Sequence, residues 1–262
     1  MYRYIIEDFV SGLFNSIRID KIIKPTRENP KLKKLWFKIC KYNFLLHIFP
    51  TLLLLLVDWL FDISLIFIFN ILAYPINLFS GLFHLLHFFD LVNIICIHTP
   101  KSSKTVGALD MISLMITMSI YQIVIYLTTT IINLIFHDNL YFAAIILNFI
   151  ILTIYHSFYC FNNLWQYKKI DMFRRIDIHE KLWPYYIGYG TISTILYLCA
   201  IHPIMIAIYN LYLATIIALP FLLATRYPKK EIGYPKINLT IFSKIIGFLF
   251  IIIKNVFNIS LN

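Results

Sequence analysis

Charge is what this chain has least of. Asp, Glu, Lys and Arg make up 14% of its 262 residues, where a soluble globular domain carries about a quarter. With 60% of the residues hydrophobic, too few polar side chains remain to cover a water-soluble fold, and the chain reads as an integral membrane protein. Cysteine is scarce too. Cys40, Cys96, Cys160 and Cys199 show no CxxC spacing, so no disulfide framework is expected and they read as ordinary apolar cysteines. No HExxH, no GxSxG and no phosphate-cradling glycine loop occurs. An enzyme is therefore not expected, and neither is a cofactor. A cleavable signal peptide is not expected either. The first long apolar run begins near Phe44, after a basic segment, so the first span is expected to serve as an uncleaved anchor.

What is present is bulky and aromatic, with 23 Phe and 18 Tyr. Residues 1–43 read as a cytosolic amphipathic helix followed by a basic segment, and 44–257 as a single polytopic membrane domain. Over residues 1–23, Tyr2, Ile5, Ile6, Phe9, Leu13 and Ile17 recur at helical spacing, with Arg3, Glu7, Asn15 and Arg18 largely on other faces. That stripe either lies in the interface plane or packs on the rest of the protein. Residues 24–41 are broken by Pro25 and Pro30 and carry Lys31, Lys33, Lys34, Lys38 and Lys41. Anionic headgroups are the expected partner of that patch, which also serves to fix orientation.

Residues 44–89 are about twice the length of one span at 1.5 Å per residue. Asp58 and Asp62 mark the turn between spans at about 44–61 and 63–89. His84 and His87, three apart, share a helix face and form a candidate metal set with Asp90. Against that, histidines at a span end are commonly interfacial or bonded to a neighbouring helix. Further spans are expected at about 109–136 and 140–162. Residues 187–224 number 38, short for two full spans and a turn, and His202-Pro203 and Pro220 interrupt them. Two full spans and a partly penetrating hairpin both fit. Residues 240–257, interrupted by Lys244 and Lys254, read as an interfacial helix.

Basic residues assign the sides. The segment through Lys41 has ten, the loop at 98–108 two, the central loop five and the loop at 225–239 four, while the turns at 58–62, 137–139 and near 202 have none. All basic loops fall on one side, which the positive-inside rule makes cytosolic, with both termini. Nucleic acid is a poor explanation for a net charge of +10 distributed in this way. The sequons at Asn238 and Asn258 are then cytosolic and are expected to stay unglycosylated.

Between two apolar blocks lies the stretch Tyr155–Gly190. Tyr155, Tyr159, Phe161, Trp165 and Tyr167 form an aromatic belt. Lys168, Lys169, Arg174 and Arg175 alternate with Asp171, Asp177 and Glu180 as on a short surface helix. Trp183-Pro184-Tyr185-Tyr186 reads as an anchor ending that helix, and Gly188 and Gly190 allow close backbone approach or a tight re-entry. The stretch is either plain architecture or a docking surface built from Trp165, Lys168, Arg174, Arg175, Glu180, Trp183, Pro184, Tyr185, Tyr186, Gly188 and Gly190.

The run Ser157-Phe158-Tyr159-Cys160-Phe161, with Trp165, Asp171-Met172, Arg175, Glu180 and Trp183-Pro184-Tyr185-Tyr186-x-Gly188-x-Gly190, resembles the hallmark region of the etoposide-induced protein 2.4 family. Asp8-x-x-x-Gly12-x-x-x-Ser16-Ile17, Pro75, Ser80 and Pro220-Phe221 are similar to that family further out. The chain departs from the animal members in its shorter basic amino-terminal region, the nearly absent linker between its first two spans and the missing polar carboxyl tail. The resemblance implies a multi-pass endoplasmic-reticulum membrane protein acting non-enzymatically in autophagy or membrane organisation, with protein partners in autophagy. The wider group that includes the bacterial CysZ sulfate permeases implies an all-α fold of long transmembrane helices plus shorter, partly penetrating hairpins, often in homo-oligomers. It also raises an alternative, a small-anion (sulfate) transporter or channel, with Gly188, Gly190, Arg174 and Arg175 as candidates near its site.

Overall fold

A computed structural model describes residues 2–45, 49–61, 90, 94, 123–136, 140–200, 203–223 and 234–236. Among these the fold is all-helical, without strands. The chain divides into two compact units. One contains residues 1–18, 104–194 and 223–262, the other 19–103 and 195–222.

The first unit begins with α1, Tyr2–Ile17, which stops short of the expected residue 23. The apolar helix α5, Ile123–Ile135, lies inside the expected third span. Helix α6, Tyr141–Tyr167, is 27 residues, about 40 Å at 1.5 Å per residue, and is long and apolar enough to cross a bilayer. It is the single such helix among the described residues. Asn148 donates to Asn133 Oδ1 at 2.7 Å, tying α6 to α5. Helix α6 runs five residues past its expected end and stops at Lys169, which takes a left-handed backbone with φ 54°. The Ile170 and Lys169 amides bond the Trp165 and Gln166 carbonyls at 2.9 and 2.8 Å, the paired closure of a Schellman cap. A side chain at that position costs energy that glycine does not. Lys169→Gly should therefore stabilise the chain by about 1 kcal/mol, read as a raised midpoint in chemical unfolding of the detergent-solubilised protein.

Helix α7, Met172–Lys181, starts on Asp171, whose carboxylate accepts the Phe173 amide at 3.0 Å. Leu182 alone separates it from α8, Trp183–Leu198. Trp183-Pro184-Tyr185-Tyr186 thus opens a helix of its own directly after the end of α7. Proline is tolerated there because a first-turn amide has no intrahelical partner. Helix α8 reaches as far as Thr194 in this unit and continues into the other.

In the second unit, α2 (Asp20–Glu28), α3 (Pro30–Asn43), α4 (Phe49–Phe61) and α9 (Pro203–Leu222) are described. Of the two prolines, Pro30 breaks the basic segment as expected and Pro25 does not. Pro25 sits inside α2, and Pro30 is the first residue of α3. Asn29 is extended and its side chain accepts the Lys31 and Leu32 amides, so Asn-Pro acts as a helix start. Helices α2 and α3 pack on each other and on α9. Ile22, Leu32, Leu35 and Ile39 are buried there, as are Ile216–Leu219. Asp58 lies within α4, one turn before its end. The Tyr197 and Tyr209 rings stand 5.6 Å apart, setting the end of α8 beside α9 as a helical hairpin. The expected span at 63–89, His84, His87, Asp62, the loops at 98–108 and 137–139, most of 225–239, the expected helix at 240–257 and both sequons lie outside the described residues. Asp90 is helical and exposed, and among the described residues no group of three His, Cys, Asp or Glu is placed to hold a metal ion.

Candidate functional site: a small-residue and aromatic core

Gly188 and Gly190, two positions apart in α8, point about 200° from one another around the helix and so face opposite neighbours. A Cβ at Gly188 would overlap the Phe9 carbonyl oxygen of α1. One at Gly12 of α1 would overlap the Tyr185 carbonyl oxygen in return, and one at Gly190 the Thr153 carbonyl oxygen of α6. Helix α8 is therefore held at backbone distance between α1 and α6. Such approach brings Cα hydrogens against carbonyl oxygens and maximises dispersion contacts, the packing mode of small-xxx-small helix pairs in membranes. No described glycine has a positive φ. Close approach is thus what these glycines provide, and tight re-entry is excluded at both.

Around this crossing the buried polar atoms pair across helices. His156 Nδ1 of α6 meets Thr194 Oγ1 of α8 at 2.9 Å. Ser157 gives its one hydroxyl hydrogen to the Ile154 carbonyl at 2.9 Å, so His179 Nε2 of α7 must be the donor in its 2.9 Å bond to Ser157 Oγ. Asn15 of α1 donates to the Tyr185 hydroxyl at 3.1 Å. The His179 ring stacks on Tyr186 with centroids 4.3 Å apart and meets the edges of Phe158 and Trp165. Phe161 packs edge-on against Tyr186 and Tyr189, at 5.0 and 4.8 Å. Edge-to-face pairs of this kind add about 0.5–1.5 kcal/mol each beyond area burial.

Burial drives the His179 pKa down to about 3, which keeps the ring neutral in the folded chain. The folded value lies below the unfolded one near 6.5, so the unfolded state takes up a proton first as pH falls. Stability is fully present above pH about 6.5 and is lost towards pH about 3, with a slope of up to roughly 1.4 kcal/mol per pH unit. His179→Gln should flatten that slope in pH-dependent unfolding of the solubilised protein.

Plain architecture and a docking surface were both open for the central stretch, and its residues differ in exposure. Trp165, Glu180, Pro184, Tyr185, Tyr186, Gly188 and Gly190 are buried. The aromatic and glycine positions among them are what the helices pack against. Lys168 and Arg174 remain exposed. Arg175 turns inward, donating to the Ile170 carbonyl at 2.6 Å and to Asn162 Oδ1 at 2.8 Å. Burial lowers its pKa to about 10, partly offset by Asp171, so it stays charged at neutral pH.

Trp183 donates its indole N–H to the Pro235 carbonyl at 3.1 Å. Further bonds tie residues 234–236 to α1 and α7. The Tyr234 hydroxyl donates to Asp8 Oδ2 at 2.9 Å, and Lys236 reaches both Asp177 and Glu180 at 2.8 Å. Burial works to raise the Asp177 pKa, but the bonds from Lys181 and Lys236 together hold it below the usual carboxylate range. Bonds from Asp177 and then Glu180 raise that of Lys236. Glu180 thus belongs to a clasp joining α7 to a distant segment, not to a surface.

Sequence reasoning missed His156, Ser157 and Thr194 as partners, and His179 altogether. The signal was there in three pairs of small residues four apart, Gly12 and Ser16, Thr153 and Ser157, Gly190 and Thr194. Each pair lines one helix face, and all six are buried.

No protein-family model matches the chain, and no solved structure does. Uncharacterized protein L211 of Acanthamoeba polyphaga mimivirus is 44% identical over 254 residues, covering 97% of each chain. The protein EI24 homolog of Dictyostelium discoideum is 29% identical over 156 residues, 58% of this chain and 46% of that protein.

Proposed function

The chain belongs to the family of the mimivirus protein L211, and from that premise we propose that it is a multi-pass membrane protein of the EI24 type. It acts without catalysis, as a helical scaffold in autophagy or membrane organisation at the endoplasmic reticulum. The observation that carries the reading is an inverted polarity. Ile123, Leu127, Ile131, Leu134 and Ile135 of α5 and Tyr141, Phe142, Ile145 and Ile146 of α6 are exposed, while Thr153, His156, Ser157, Asn162, Ser193 and Thr194 are buried. Water disfavours so much apolar exterior, whereas lipid accepts it and leaves buried polar pairs as the links between helices. Helix α1 follows the same rule. It turns Gly12 and Ser16 inward and leaves Ile6, Val10, Phe14 and Ile17 exposed, a stripe suited to acyl chains.

The similarity to the Dictyostelium protein supports the EI24 assignment. Small-anion transport finds no support at its candidate residues, since neighbouring backbones meet Gly188 and Gly190 and Arg175 is engaged by Ile170 and Asn162. A tagged copy expressed in a eukaryotic cell should resist alkaline carbonate extraction, colocalise with endoplasmic reticulum and keep both termini sensitive to added protease in sealed microsomes. Release by carbonate would end the membrane reading. Expression in Dictyostelium cells lacking the EI24 homolog should restore autophagic flux, and failure despite correct placement would end the autophagy reading.

A further inference from the structure

We propose that the outer face of α3 binds the anionic headgroup layer of the membrane in which the chain sits, with Phe37 as its apolar anchor. Helix α3 has an inner stripe, Leu32, Leu35 and Ile39, buried where α3 packs on α2 and α9. At about 100° per residue, Phe37 lies opposite that stripe, and it is 73% exposed. Lys33 flanks it on one side, and Lys34, Lys38 and Lys41 on the other, with Lys31 next to them. All five lysines are exposed, and α3 contains no Asp or Glu. Lys38 Nζ lies 6.0 Å from the Tyr42 ring centroid, keeping an aromatic side chain against the cationic face.

A solvated charge run would account for the lysines but not for a phenylalanine at the outermost point of the helix. An aromatic ring among ammonium groups fits a headgroup layer, where the ring reaches the acyl boundary while the lysine heads stay with the phosphates. Chain continuity favours that partner over an acidic protein or a nucleic acid. Helix α3 is followed within a few residues by the apolar helix α4, Phe49–Phe61, and a lysine cluster adjoining an apolar span recognises anionic lipid. The inference rests on the membrane reading above.

The test uses the full chain reconstituted into phosphatidylcholine bilayers doped with spin-labelled phosphatidylserine or spin-labelled phosphatidylcholine. Membrane insertion is scored first, by flotation and carbonate resistance. Failure there overturns the membrane reading and this proposal with it. In the inserted protein, spin-labelled phosphatidylserine should associate in preference to phosphatidylcholine by roughly fivefold, the factor that about 1 kcal/mol from a single near-surface lysine contacting one headgroup gives. Raised salt should erase the preference. So should the quadruple change K33Q/K34Q/K38Q/K41Q, and Phe37→Ser should reduce it. All of these side chains point away from the buried stripe, so helix content and thermal midpoint should match the parent. An inserted parent protein with no phosphatidylserine preference overturns the proposal, as does a preference that survives the quadruple change. Salt-sensitive retention of RNA or an acidic peptide through α3, without lipid preference, overturns it in favour of those partners.

Discussion

Gly188→Leu should abolish accumulation of the folded chain, and Gly188→Ala should already cost about 3 kcal/mol or more. The obstacle is a carbonyl group, not a flexible side chain. A Cβ at this position would overlap Phe9 O of α1, with the Leu13 amide nitrogen 3.0 Å away. No rotamer change relieves that clash, so α1 must move off α8. The Asn15 bond to Tyr185 and the contacts beneath Gly12 then weaken together. Gly12→Ala strikes the same crossing from the other side, against Tyr185 O. Because both changes push one pair of helices apart, the double variant should lose clearly less than the sum of the singles. Val10→Ala, on the outward face of α1, should stay close to the parent. Unfolding midpoints in mixed micelles read all four. Additive losses at Gly12 and Gly188 would show that the two glycines do not share a crossing.

Arg175→Leu is expected to cost about 2–4 kcal/mol, while its neighbour change Arg174→Gln stays within about 0.5 kcal/mol. The two arginines look alike in the sequence, adjacent in a basic and acidic run. In the fold Arg174 is exposed, and Arg175 closes the space between α6 and the turn that leads to α7. Its guanidinium satisfies the Ile170 carbonyl and Asn162 Oδ1, and Asn162 itself is fully buried. Removing the donor takes away both bonds in a low-dielectric setting, where the loss exceeds what a bond adds in water. Arg175→Lys should recover little, since one ammonium cannot reproduce the planar two-point geometry. The same unfolding assay decides it, and an Arg175→Leu variant as stable as Arg174→Gln would remove the structural role assigned here.

How far each feature was legible follows from the range of the interaction behind it. Helix α6 could be read from a long apolar run, and α7 from charges that alternate as on a short surface helix. Both depend on neighbours within a few positions. The glycines were also visible as places of close approach, but what approaches them was not. Phe9 and Gly188 are far apart in the chain, and no local pattern states that they meet. Whether Trp165, Tyr185 and Tyr186 serve architecture or a docking surface stayed open in the sequence, because an aromatic at an interface and an aromatic in a core have the same composition. The difference lies in whether a second helix covers them.

Composition and periodicity therefore decided that this chain is helical, rich in apolar residues and basic in particular segments, because those properties arise from side chains summed over single helices. Tertiary structure alone decided that α8 runs between α1 and α6, and that His179 donates to Ser157. It also decided that Arg175 and Glu180 serve the interior while Arg174 and Phe37 face out. Each of these depends on which backbone stands within a few ångströms of which side chain. That proximity is set by helix crossings between residues remote in the chain, where one missing Cβ determines how closely two backbones can meet.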